Sequence, residues 1–116
     1  MIRYNLGILA EYFVLICYVI RFYQPLHHRY KSYVGEIDLI MKRGKQLVFI
    51  EVKARKYGIH DGIVSDNQQQ RITQAAELFV AKHQQYNGYD IRFDLVIVKP
   101  YCLPQIIKNA WYSHLN

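Results

Sequence analysis

Two neighbouring stretches carry acids inside otherwise apolar runs: Gly35-Glu36-Ile37-Asp38-Leu39-Ile40 and Phe49-Ile50-Glu51-Val52-Lys53. A carboxylate set among branched apolar residues is costly unless a cation, a proton or hydrogen bonds compensate it. Here Asp38 in the first stretch and Glu51 in the second are flanked by apolar residues on both sides, and a lysine stands two residues beyond Glu51. The set suits phosphodiester cleavage, which needs stabilised transition-state charge, an activated water and help for the leaving oxygen. Hard oxygen ligands suit Mg²⁺, or Mn²⁺ in its place, bound through one or two carboxylates with several waters retained. Asp38 and Glu51 are the candidate metal ligands, and Lys53 the candidate catalytic cation, holding the attacking water or neutralising the scissile phosphate. The bland reading is an ion pair of Glu51 with Lys53 on a solvated sheet face, with Asp38 an exposed acid. Ile40 and Phe49, apolar and expected on that same face, speak against it.

Positioning these groups falls to a hairpin. Glu36 to Met41 and Gln46 to Lys53 are β-rich and separated by Lys42-Arg43-Gly44-Lys45, a turn signal. A two-residue loop at Arg43-Gly44 pairs Met41 with Gln46 and sets Asp38 opposite Phe49. Side chains alternate faces with period two, so Glu36, Asp38 and Ile40 share a face with Phe49, Glu51 and Lys53. A one-residue slip would separate the acids.

Around the hairpin, Asn5 to about Phe22 favours a helix capped by Asn5, with Glu11 its one acid. A lone glutamate there is as compatible with a part-exposed helix residue as with a ligand or base. Phe22 to Tyr30 reads as a short strand, Lys31 to Gly35 as a turn, and Tyr57 to Val64 as a loop. Ser65-Asp66-Asn67-Gln68 matches a capping box, in which Ser65 accepts first-turn amides and Gln68 reaches back. The helix it opens should run to about His83, with Ile72, Ala75, Ala76, Phe79 and Val80 apolar at helical spacing. Asn87-Gly88 is a turn, Ile91 to Val98 a strand, and Gln105 to about Tyr112 a short helix beyond Pro100 and Pro104. No internal repeat is present.

A chain of 116 residues, 52% of them apolar, suits one domain around one core, expected over 1–116. Lys and Arg number 15 against 9 Asp and Glu, a formal charge of +6, and many of the bases cluster in sequence near the candidate site: Arg29, Lys31, Lys42, Arg43, Lys45, Arg55 and Lys56. That favours a polyanionic partner; the alternative is a merely solvated basic surface. Two cysteines with no Cys-x-x-Cys spacing exclude a zinc site of the usual kind and suit reduced thiols in the cytoplasm. Tyr12 to Ile20 is apolar but shorter than the roughly 20 residues of a membrane span. It is bounded by Glu11 and Arg21, and no small-residue cleavage site follows. A core helix, with no membrane partner, is the expectation.

Four motifs in order, Gly35 to Ile40, Leu47 to Arg55, Val64-Ser65 with Gln69-x-Arg71-Ile72, and Arg92-Phe93-Asp94, resemble the YraN family of bacterial proteins. Gly7 and Ala10-Glu11 fit that family's first helix. The family is similar in turn to the PD-(D/E)xK nuclease superfamily, including archaeal Holliday junction resolvases and the tRNA-endonuclease-like fold. The resemblance implies an α/β fold, a mixed central sheet flanked by helices with a restriction-endonuclease-like core. It implies that Asp38 and Glu51 hold Mg²⁺ or Mn²⁺, that Lys53 is catalytic, that Glu11 is an accessory acid and that Gln69 orients substrate or water. Glu36 matches without a clear catalytic role, and Asp94 with a structural one. Arg29, Lys31, Arg55, Lys56 and Arg71 are the candidate nucleic-acid contacts, on DNA before RNA. Where such proteins often have Lys-Gln after Val-Ser, this chain has Gln68-Gln69, one phosphate contact fewer. Resolvases of similar fold act as symmetric dimers; a homodimer is open to this chain by that analogy alone, and no feature of the sequence itself argues for one. Three functions follow: a Mg²⁺-dependent DNA endonuclease, with branched DNA among its substrates; a catalytically silent nucleic-acid-binding module; or a protein interaction domain. Fold does not choose among them.

Overall fold

The computed structural model describes residues 6–55 and 64–111. Its elements are α1 (Leu6–Ile20), β1 (Gln24–Lys31), β2 (Glu36–Arg43), β3 (Gln46–Ala54), α2 (Asp66–Lys82), β4 (Asp90–Val98) and β5 (Gln105–Trp111), with a 3₁₀ turn at Gln84–Tyr86. The five strands form one mixed sheet in the order β1-β2-β3-β4-β5. All neighbours are antiparallel except β3 and β4, which are parallel and joined through α2. The expected α/β core is therefore present. The Asn5 cap, Lys56 and most of the Tyr57 to Val64 loop lie outside the described residues.

The β2–β3 sequence is near-continuously apolar through its middle, so it is buried on both faces. Leu39, Met41, Val48 and Ile50 pack with Val14 and Tyr18 of α1, whereas Ile40, Leu47 and Phe49 pack with Ile72, Ala75, Ala76 and Phe79 of α2. One helix thus covers each face. The hairpin loop is Gly44-Lys45, not Arg43-Gly44: Arg43 pairs with Gln46 and Met41 with Val48. Gly44 has φ +59°, the positive value required at the first position of such a two-residue turn, and arginine would strain there. The correction moves the register by two residues, so face parity survives over the paired stretch from Leu39 to Arg43.

The end of α1 is built without glycine. Phe22 N–H donates to the Val19 carbonyl at 2.9 Å and Tyr23 N–H to the Tyr18 carbonyl at 3.1 Å, and the Tyr18 and Tyr23 rings meet edge to face at 5.1 Å. This is the Schellman closure with its hydrophobic contact. Phe22 holds the left-handed position, φ +70°, at a cost of about 1 kcal/mol relative to glycine.

The last element is a strand, not the helix expected over Gln105 to Tyr112. Ile106 packs on the α1 side and Ile107 on the α2 side, as a strand requires. Asn109 then enters the left-handed region at φ +53°, where the ladder with β4 shifts between Phe93↔Trp111 and Leu95↔Ile107. The bulge resets the alternation, so Ile106, Ile107, Ala110 and Trp111 fall at a spacing that imitates a helix.

Gly35, in the turn before β2, is a packing glycine. A Cβ there would lie 2.8 Å from the backbone oxygen of Arg71 in α2. Gly35→Ala is expected to cost about 1–3 kcal/mol, read as a lower urea midpoint, because helix backbone must move to admit the methyl group.

Candidate active site

Regular pairing of β2 with β3 stops at Leu39↔Ile50. Beyond it the face alternation of β2 skips: Leu39 packs on the α1 side but Ile37 on the α2 side. Asp38, between them, reaches across to β3, and its Oδ2 accepts the Val52 N–H at 2.8 Å. A side chain there takes over where the backbone ladder ends. On β1 the matching irregularity is Arg29, at φ +60°. It lets His28 turn toward Glu11 while Tyr30 packs edge-on against Phe79 at 5.3 Å.

The cleft formed at this splayed end has a volume of about 460 Å³, and its lining includes Glu11, Glu36, Asp38, Glu51, Lys53, Gln68 and Arg71. It lies toward the carboxyl ends of the parallel pair β3 and β4, the usual ligand position in open α/β sheets. Glu51 is 6% exposed. Burial raises its pKa, and a side-chain hydrogen bond with Asp38 and the charge of Asp38 add to the rise, against the pull of Lys53. Lys53 Nζ lies 3.8 Å from Glu51 Oε2 and donates to Gln68 Oε1 at 3.1 Å, while Gln68 Nε2 donates to Glu51 Oε2.

Glu11 enters from α1. Its Oε1 accepts from or shares a proton with His28 Nε2 at 2.8 Å and lies 3.4 Å from Arg29 Nε. Burial raises the Glu11 pKa, the His28 contact opposes that rise, and the charge of Asp38 reinforces it. Among the described residues no group of three or more His, Cys, Asp and Glu side chains forms a ready metal cage. The donor set suited to a cation is the Asp38–Glu51 pair, with Glu11 joined to it through its field.

The structure thus brings Asp38, Glu51, Lys53, Glu11 and Arg71 to one cleft. Gln69 is not among them: its Nε2 donates to the Val64 carbonyl at 2.9 Å, tying the chain ahead of α2. Gln68 takes the place expected of Gln69, and it does not reach back to complete the capping box. Ser65 does cap, accepting the Gln68 N–H at 3.2 Å. Helical spacing carried this signal, because Gln68, Ile72 and Ala75 recur at i, i+4 and i+7 on the sheet-facing stripe. His28 had no such signal; its contact with Glu11 spans seventeen residues of sequence.

The basic residues divide. Arg71 lines the cleft, Arg29 sits against Glu11, Lys31 is exposed at the end of β1, and Arg55 Nη1 donates to the Ala54 carbonyl at 2.9 Å. Lys42, Arg43 and Lys45 belong to the hairpin end, with Arg43 stacked 4.2 Å over Tyr23. Five strand residues, roughly 17 Å, separate that end from Glu51, so their nearness in sequence is not nearness to the site.

A pH dependence follows from Glu51. The unfolded carboxyl titrates near 4.5, and the folded one higher. Between those values the folded protein keeps a proton that the unfolded chain has lost, so stability falls as pH rises, by up to about 1.4 kcal/mol per pH unit. The melting temperature of the metal-free protein should therefore decline from about pH 5 upward. Glu51→Gln should remove most of that slope, with Glu11 supplying the remainder; an unchanged slope in the variant would refute the assignment.

The fold and cleft together define an α/β protein with a five-stranded mixed sheet, a helix on each face, and an acidic pair and a lysine at its strand ends. The chain belongs to the uncharacterised protein family UPF0102, the YraN family, whose sequence model matches residues 10–98, a span that includes every residue lining the cleft. It is similar to a UPF0102 protein of Ehrlichia ruminantium, 38% identical over 95% of this chain and 87% of the relative. One from Maricaulis maris is 39% identical over 88% and 81%, and one from Sinorhizobium medicae 35% over 90% and 87%.

Proposed function

We propose that this protein is a metal-dependent DNA endonuclease hydrolysing phosphodiester bonds, with branched DNA among its substrates. The observation that carries the reading is the convergence of Asp38, Glu51 and Lys53 at one splayed strand end. Two acids in contact, one held protonated by burial, form a site that a hard divalent cation would relieve. Asp38 and Glu51 are the residues that would hold Mg²⁺ or Mn²⁺, which when bound supplies charge for the transition state and acidifies a water. Lys53 neutralises the scissile phosphate or holds the attacking water. Glu11, kept in place by His28 and Arg29, is placed to accept a proton. Gln68 orients Lys53, and Arg71, three residues further along the same helix, meets a flanking phosphate, as Arg29 and Lys31 do nearer β1.

A second reading, a silent nucleic-acid-binding module, is favoured by one contact. The Gln68 amide occupies both Glu51 and Lys53, the groups a reaction would need free. Labelled linear duplex, single strand, flap, four-way junction and RNA, each with Mg²⁺ or Mn²⁺, separate the two. Cleavage of any supports the nuclease. Salt-sensitive binding without cleavage supports the module, and neither outcome on any probe rejects both.

A further inference from the structure

Helix α1 is apolar on more of its surface than the sheet covers. Val14 and Tyr18 are buried, yet Leu9, Tyr12, Phe13, Ile16, Val19 and Ile20 are 43–69% exposed. They recur at i, i+3, i+4 and i+7, a continuous stripe about 17 Å long by helix rise. No helix of the described residues is long and apolar enough to cross a membrane, so the stripe is not half of a span. Phe22 extends it. That ring is 87% exposed on a residue held at φ +70°, a bulky side chain where glycine is the relaxed choice. Within one chain the strain has no return, because the ring touches solvent.

We infer that this face of α1, closed at its end by Phe22, is the interface of a symmetric homodimer. Full aromatic side-chain areas of about 150–250 Å² put the exposed apolar surface at roughly 800 Å², the share one partner contributes to a standard interface. That exceeds the few hundred Å² a monomer usually leaves bare. The occupant is a second copy because the face lacks the features that specify anything else. Glu11, the one ionisable acid of the helix, is buried toward the cleft, and α1 has no base in its last turn; Arg21, which follows it, folds back to donate to the Cys17 carbonyl at 2.9 Å. An anionic membrane surface would call for lysines or arginines lining the helix beside the apolar face, and α1 carries none between Leu6 and Ile20; a different protein would call for a charge pattern to select it. An uncharged stripe needs only its own copy across a two-fold axis.

Sedimentation equilibrium through the micromolar range tests this on the full chain. The wild type should run as a dimer. Ile16→Glu, an exposed site whose change spares the core, should weaken association about 100-fold or more by burying an unpaired charge. Phe22→Gly should raise the melting temperature of the protomer and also weaken the dimer, opposite signs that a misfolded variant does not produce. A wild type monomeric at all these concentrations overturns the proposal. So does a dimer indifferent to both substitutions. Co-sedimentation of a monomeric wild type with anionic vesicles would assign the stripe to lipid instead, and would equally overturn it.

Discussion

Lys53→Ala should slow cleavage of whichever nucleic acid the wild type cuts by about 10²–10³-fold, the loss that follows removal of one preorganised donor from a transition state. The fold should survive, because Lys53 is half-buried at the cleft and its partners, Gln68 and Glu51, retain each other. Lys53 pulls the Glu51 pKa down, so the variant should hold the Glu51 proton more tightly and need a higher pH to load Mg²⁺. Isothermal titration with Mg²⁺ checks that: binding should persist, weakened but measurable. Cleavage at the wild-type rate in the variant would refute the catalytic role of Lys53. Loss of folding would favour the ion-pair reading, in which Lys53 and Glu51 only hold the sheet.

The second large effect lies away from the cleft. Asp94, fully buried, accepts Arg92 Nε at 2.8 Å and Nη2 at 2.9 Å, the Tyr18 hydroxyl at 2.8 Å and the Asn109 amide at 3.2 Å. Arg92 Nη2 donates onward to the Tyr23 hydroxyl at 3.0 Å. One carboxylate thus joins α1, β4 and β5. Asp94→Ala leaves a buried guanidinium without its counter-charge, a loss of about 3–5 kcal/mol, a large part of an ordinary stability of roughly 5–15 kcal/mol. The urea midpoint should fall accordingly. Arg92→Met with Asp94→Leu should cost less than Asp94→Ala alone, since removing both charges leaves nothing orphaned. If the double variant is the worse of the two, the pair contributes more than its desolvation cost.

These two effects bear on how much could be read from residues alone. A structural role for Asp94 is what the family resemblance implied, but its partners come from 76 residues upstream in Tyr18 and from a bulge at Asn109. Such a bulge has no period of its own, and it disguised β5 as a helix. The hairpin was legible from its glycine, although its loop lay one residue later than the composition suggested. The register moved by two, which keeps side-chain parity as far as Ile40 and Phe49; at Asp38 the alternation skips, and that irregularity, which has no period to announce it, sets the carboxylate on the Val52 N–H.

What the sequence determined by itself was local: β2, β3 and β4 as strands, the shared face of Ile40 and Phe49 from period two, α2 and its Ser65 cap from helical spacing and hydroxyl chemistry, and the acids and lysine as residues that an apolar strand does not tolerate without purpose. These follow from interactions between near neighbours along the chain. The tertiary structure decided which groups meet. It set Gln68 rather than Gln69 in the cleft, because a helix docked on a sheet presents one stripe only. It brought His28 to Glu11 through the left-handed turn at Arg29, and sent Lys42, Arg43 and Lys45 to the far end, because extended strands separate sequence neighbours quickly. It left the outer face of α1 bare, because one sheet can cover only one side of a helix.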